Sequence, residues 1–82
     1  MKKIIIRTDR VGIQDDSDYY GSGDNFEFWL NQQLEYHNIN VEKHFDFIEN
    51  LISKNIWKTD EEEHWDEFLD KILNNAEIKK TN

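Results

Sequence analysis

From Asp24 to Ala76 the apolar residues recur at helical spacing, and the chain contains no proline to interrupt them. Phe26, Leu30 and Leu34 fall four apart, with Trp29 beside them. Val41, Phe45, Ile48, Leu51 and Ile52 make a second stripe, and Trp65, Phe68, Leu69, Ile72, Leu73 and Ala76 a third. Residues spaced in this way share one face of a helix, so each stripe predicts an amphipathic helix with a buried side. Each also has a start signal. Asp24 with Glu27, and Thr59 with Glu62, have the spacing of capping boxes, and Asn40 is a ready N-cap for the middle helix. The helices are expected from Asp24 to Asn38, from Asn40 to about Trp57, and from Thr59 to Ala76. A frayed tail is expected over 77–82.

Ahead of the helices, "KKIIIRT" carries three consecutive β-branched residues and reads as a strand. "RVGIQ" reads as a second short strand, paired with the first through a turn at Thr8-Asp9-Arg10. The expected fold class is therefore α+β: a short N-terminal strand or hairpin (1–14), an acidic loop (15–24) and three amphipathic helices (25–76), in one domain. A strand with an unpaired edge invites another strand, so homodimerisation through residues 3–7 is a further expectation.

The length of 82 residues suits a single core, and the absence of cysteine removes disulfides, thiol chemistry and Cys-based zinc sites. Only three apolar residues separate Lys3 from Arg7, too few for the core of a signal peptide, and no stretch has the length of a membrane span. The chain is expected to be soluble and cytoplasmic, with no membrane partner.

Charge narrows the partner further. The net charge is −8, distributed as +3 over residues 1–14, −13 over 15–70 and +2 over 71–82. Such a field repels nucleic acid and favours basic proteins, so direct nucleic-acid binding is not expected.

Two stretches concentrate this charge. The first, "DSDYYGSGDNFE" (16–27), can be aligned with a twelve-residue calcium loop: Asp16, Asp18, Asp24 and Glu27 fall at ligand positions 1, 3, 9 and 12, and Gly21 at the turn position. Tyr20 at position 5 departs from that pattern. The same region, "YYGSGDNFEFW" (Tyr19 to Trp29), resembles the loop and helix start of barstar-type ribonuclease inhibitors. Tyr19, Tyr20, Gly21, Asn25 and Trp29 carry the likeness. It covers less than half of the chain, and the helix that the family places before its tyrosines has no counterpart here. The resemblance implies an antitoxin or immunity protein whose Tyr19–Asp24 loop plugs a basic ribonuclease site.

The second stretch, "TDEEEHWDEFLDK", begins with acids at Asp60, Glu61 and Glu62, which a helix N-terminus favours. Glu63, Asp66, Glu67 and Asp70 are spaced i, i+3, i+4, i+7, one face of the helix opposite its apolar stripe, and only Glu67 has a lysine four residues on. Like charges so placed weaken a helix by about 0.2–0.5 kcal/mol a pair. Four carboxylates along roughly 10 Å approach the charge density of a nucleic-acid strand, with a phosphate about every 3.4 Å.

Catalytic chemistry is sparse. His37, His44 and His64 lack a metal-ligand spacing, although Glu61 and His64 could share an ion. The serines have no neighbouring base, and Gly21-Ser22-Gly23 is no nucleotide fingerprint. No enzymatic activity and no obligatory cofactor are expected. The profile resembles, in type, the small acidic inhibitors of phages and mobile elements, the anti-CRISPR and anti-restriction proteins. Its leading expectation is an inhibitor that occludes the nucleic-acid-binding surface of a nuclease or CRISPR–Cas effector as a partial DNA mimic. The expected partner-binding residues are Asp15, Asp16, Asp18, Tyr19, Tyr20, Glu63, Asp66, Glu67 and Asp70. The alternatives are the barstar-like antitoxin and a calcium-binding module.

Overall fold

The computed structural model describes residues 2–7 and 10–81. The β-branched run forms β1 (Lys2–Arg7), which pairs antiparallel with β2 (Arg10–Asp15) in a two-stranded sheet. The register sets Ile4 opposite Ile13, Ile6 opposite Val11 and Arg7 opposite Arg10. Of the expected turn, Thr8 and Asp9 lie outside the described residues. A single-turn 3-10 helix at Asp16–Asp18 leads into the loop, and α1 (Asn25–Tyr36), α2 (Phe45–Lys54), α3 (Trp65–Leu73) and α4 (Ala76–Thr81) follow. The α+β architecture, a hairpin packed on three amphipathic helices, is the one that the residue pattern predicts.

Alternation along the strands points Ile4, Ile6 and Val11 at the helices, where they join Phe26, Leu30, Leu34, Ile48, Ile52, Phe68 and Ile72 in one core. Phe26 lies at its centre, 4.8 Å from the Phe68 ring and 5.7 Å from that of Trp65. Trp29 stacks at a tilt on Trp65, 5.5 Å between centroids. These contacts fasten the first helical stripe to the third.

Helix α1 has both expected ends. Asp24 Oδ1 accepts from the N–H groups of Phe26 and Glu27. At the other end Asn38 adopts the left-handed conformation (φ 56°), and the Ile39 N–H returns to the Leu34 carbonyl at 2.9 Å. That is a Schellman stop, in which asparagine tolerates the conformation more readily than a branched residue does.

The other two helices are shorter than their stripes predict. Asn40 caps a turn over 41–44, with its side chain accepting from the Lys43 N–H at 3.0 Å, and regular α2 begins only at Phe45. It stops at Lys54, not Trp57, because the Asn55 side chain takes the Leu51 carbonyl and the chain tightens into a 3-10 turn at Ile56–Asp60. Thr59 does not open the third helix. It is buried inside that turn; its hydroxyl donates to the Ile56 carbonyl, and its own carbonyl accepts the Trp65 indole N–H at 3.0 Å. A second 3-10 turn, Glu62–His64, delivers the chain to α3 at Trp65.

The expected frayed tail is also corrected. Asn75 Oδ1 accepts from the Glu77 and Ile78 N–H groups and starts α4, which sinks Ile78 into the core at 1 % exposure. Ile78→Ala should therefore destabilise the fold by about 2–4 kcal/mol, read as a lower denaturant midpoint, whereas a frayed tail would leave the midpoint unmoved. Among the described residues, no helix is long and apolar enough to cross a membrane.

Candidate functional site

The two acidic stretches have different fates in the fold. In the first, Glu27 is 1 % exposed. Its carboxylate does not return to the Asp24 N–H as a capping box would. Oε1 accepts from the Ile6 N–H at 2.6 Å and the Ser22 hydroxyl at 2.8 Å, and Oε2 from the Tyr19 hydroxyl at 2.8 Å and the Ser22 N–H at 3.0 Å. Burial pushes the Glu27 carboxyl up, but these donors outweigh it and hold it below the usual carboxylate range. Burial and the adjacent Glu27 charge push the Tyr19 phenol up.

One helical turn later Asn31 repeats the contact. Its Oδ1 accepts from the Ile4 N–H at 2.8 Å and its Nδ2 donates to the Ile4 carbonyl at 2.9 Å. Glu27 and Asn31 therefore occupy the Ile4 N–H and C=O and the Ile6 N–H on the outer edge of β1, the edge on which pairing through residues 3–7 would depend. Asn31 was not among the expected site residues, and Glu27 was expected only as a capping-box acid and a calcium ligand, not as a partner of β1. The signal was their four-residue spacing directly beside Phe26 and Leu30, which turns two polar groups toward the core.

The carboxylates that a calcium loop would pool are engaged separately. Glu27 faces inward, Asp24 caps α1, and Asp16 lies 3.7 Å from the Lys3 ammonium. Asp15 pairs with Lys2, which draws the Asp15 carboxyl below its ordinary pKa range through that hydrogen bond and charge. Asp18 is exposed at the end of its turn. Tyr19 is spent on Glu27, while Tyr20 is 68 % exposed, with its ring under the Arg7 guanidinium and its hydroxyl accepting from it. Of the other residues carrying the barstar likeness, Asn25 is exposed and Trp29 packs on Phe26 and Trp65.

The second stretch stays at the surface. Asp60, Glu61, Glu62, Glu63, Asp66, Glu67 and Asp70 are all exposed. Glu67 meets Lys58 at 3.6 Å and His64 Nδ1 at 3.0 Å. Its carboxyl, raised by partial burial, is lowered more by His64 and Lys58 and lies below the ordinary range. The other ring nitrogen of His64 is 3.2 Å from Glu61 and 4.0 Å from Glu63. Glu61, Glu63 and His64 hold ligand atoms within 4.8 Å of one another, the one set among the described residues that could take a metal ion. Asp66 and Asp70 have no ion-pair partner among the described residues.

Beside this segment runs a groove of about 690 Å³ between the Arg7 end of the hairpin and the 56–60 turn, walled by Ser22, Gly23, Asp24, Ile56, Trp57 and Asp60. Trp57 stands 57 % exposed on its rim, with its ring against His64 and Lys58. Asp24 aside, the loop acids lie elsewhere. Asp15 and Lys2 share a cleft with Asn38–Glu42 at the opposite end of the hairpin, about 17 Å away along the strands. The expected binding acids thus form two separate groups, with Tyr20 on Arg7 at the groove end, and only the acids on 60–70 keep most of their charge unopposed. No protein-family model, curated protein or solved structure matches this chain.

Proposed function

We propose that this chain is a binding protein, not an enzyme, which occludes the nucleic-acid-binding surface of a basic partner such as a nuclease or CRISPR–Cas effector. One observation carries the reading: seven carboxylates from Asp60 to Asp70 are exposed, and among the described residues lysine meets only Glu67 of them. A fold that needed those acids for its own stability would have paired them. Asp60, Glu62, Asp66 and Asp70 have no ion-pair partner among the described residues, and Glu61, Glu63 and Glu67 share the one His64, so the acids repel one another and are stabilised by a surface that brings cations.

The mechanism is steric and electrostatic. The 3-10 turn and α3 present the acids as a short anionic row, a partial substitute for a phosphate backbone, and the partner's lysines and arginines pair with it. Trp57 and Ile56, exposed next to Asp60, supply the apolar anchor that charge alone lacks; aromatic side chains inside a polar rim dominate protein interfaces. What favours this row over the Tyr19–Asp24 loop is that Tyr19, Ser22 and Asp24 already serve α1 and the hairpin.

Capture from a host lysate on the immobilised chain tests the reading. A nucleic-acid-binding protein should be retained at low salt, partly lost as ionic strength rises past about 0.1 M, and displaced by added DNA or RNA. Retention indifferent to both salt and nucleic-acid competitor would contradict it.

A further inference from the structure

A two-stranded sheet has two outer edges, and here they are treated differently. Ile4 and Ile6 turn their N–H groups away from β2, to Asn31 and Glu27. In an antiparallel ladder, directly opposed residues that do not bond each other both point outward. Their partners Ile13 and Val11 therefore direct their own N–H and C=O groups off the far side of β2, and Asp15, opposite Lys2, does the same. Among the described residues, no backbone group beyond the hairpin meets them. The Ile13 side chain is 36 % exposed on this edge, and a Cβ built on Gly12 would meet nothing within 4 Å.

We propose that β2 pairs with β2 of a second copy of this chain, joining two hairpins into a four-stranded antiparallel sheet across a two-fold axis. The strand is self-complementary. Arg10, with no acidic partner among the described residues, marks one end, and Asp15, followed by Asp16 in the turn beyond the strand, marks the other, both half-exposed beside Lys2 and Lys3. Antiparallel pairing centred on Ile13 sets Ile13 against its own copy and Val11 opposite Asp15, and brings Arg10 to the level of Asp16 in the turn just past the strand. That register uses every outward amide on both strands, covers the exposed isoleucine and matches opposite charges at both ends.

Sedimentation equilibrium over a concentration series, with hydrogen exchange on the same samples, tests the pairing. The expected particle is about 20 kDa, twice the 10.0 kDa chain, with the Val11 and Ile13 amides gaining protection as the dimer fills. Ile13→Lys and Arg10→Asp should each weaken the dimer at least about tenfold while leaving circular dichroism unchanged. Combining Arg10→Asp with Asp16→Arg should restore it. A single 10.0 kDa species at every concentration up to about 1 mM would overturn the proposal. So would a dimer that ignores both single substitutions and leaves those two amides unprotected.

Discussion

Replacing Glu27 with alanine should cost about 3 kcal/mol of folding stability and loosen the loop and hairpin together. The substitution removes the acceptor of four donors, the buried Ile6 N–H and, nearer the surface, the Tyr19 hydroxyl and the Ser22 N–H and hydroxyl. Each unsatisfied buried donor costs about 1–3 kcal/mol, and local relaxation recovers part of that. A domain of this size has roughly 4–12 kcal/mol in total. Denaturant unfolding measures the loss, and the amide of Ile6 should become the most changed in hydrogen exchange. If Glu27 were only a capping-box residue, the cost would be nearer 1 kcal/mol and Ile6 would be unaffected.

The same carboxylate makes stability depend on acid. Its folded pKa lies below the ordinary value of 4.5, so its contribution is fully present above that value and is lost as pH falls through the folded pKa. Glu27→Gln should flatten this part of the stability profile, since the amide does not titrate.

Reversing Glu63, Asp66 and Asp70 to lysine should weaken binding of the captured partner by about a hundredfold or more. Each change removes an attraction and adds a repulsion, and like-charge contacts in an interface cost several kcal/mol together. The three side chains are exposed, and the substitutions leave the Glu67 contacts to Lys58 and His64 in place, so the helical spectrum should persist. Lysines at Asp15, Asp16 and Asp18 should reduce affinity only about threefold. Two of those acids already face Lys2 and Lys3, and all three lie at the far end of the hairpin.

Local rules carried the sequence reading a long way. A β-branched run made β1, apolar periodicity placed the three helices, and Asn38 marked the end of α1 because its side chain accepts a left-handed backbone. The misreadings share a cause: partners distant in the chain or competing for the same group. Thr59 has the sequence of a cap but supplies a carbonyl to the Trp65 indole, and that contact delays α3 by a turn and a half. Ile78, one apolar residue among lysines, gives no periodic signal, yet it completes the core. Glu27 was legible as a helix-start acid but not as the clamp on β1, since nothing local says that Ile6 lies within reach. The exposure of Glu63, Asp66, Glu67 and Asp70 was legible in their spacing opposite the apolar stripe, although Glu63 lies in the 3-10 turn ahead of α3. The neutralisation of Asp15 and Asp16 was not, because it depends on the register that brings Lys2 and Lys3 alongside.

The most direct measurement of the central claim is the affinity of the captured partner for three proteins at one salt concentration: the unaltered chain, the Glu63/Asp66/Asp70 reversal and the Asp15/Asp16/Asp18 reversal. The account predicts that binding collapses in the first variant and survives in the second. Equal losses in both, or a loss confined to the Asp15/Asp16/Asp18 variant, would show that the Asp60–Asp70 segment is not the face that the partner reads.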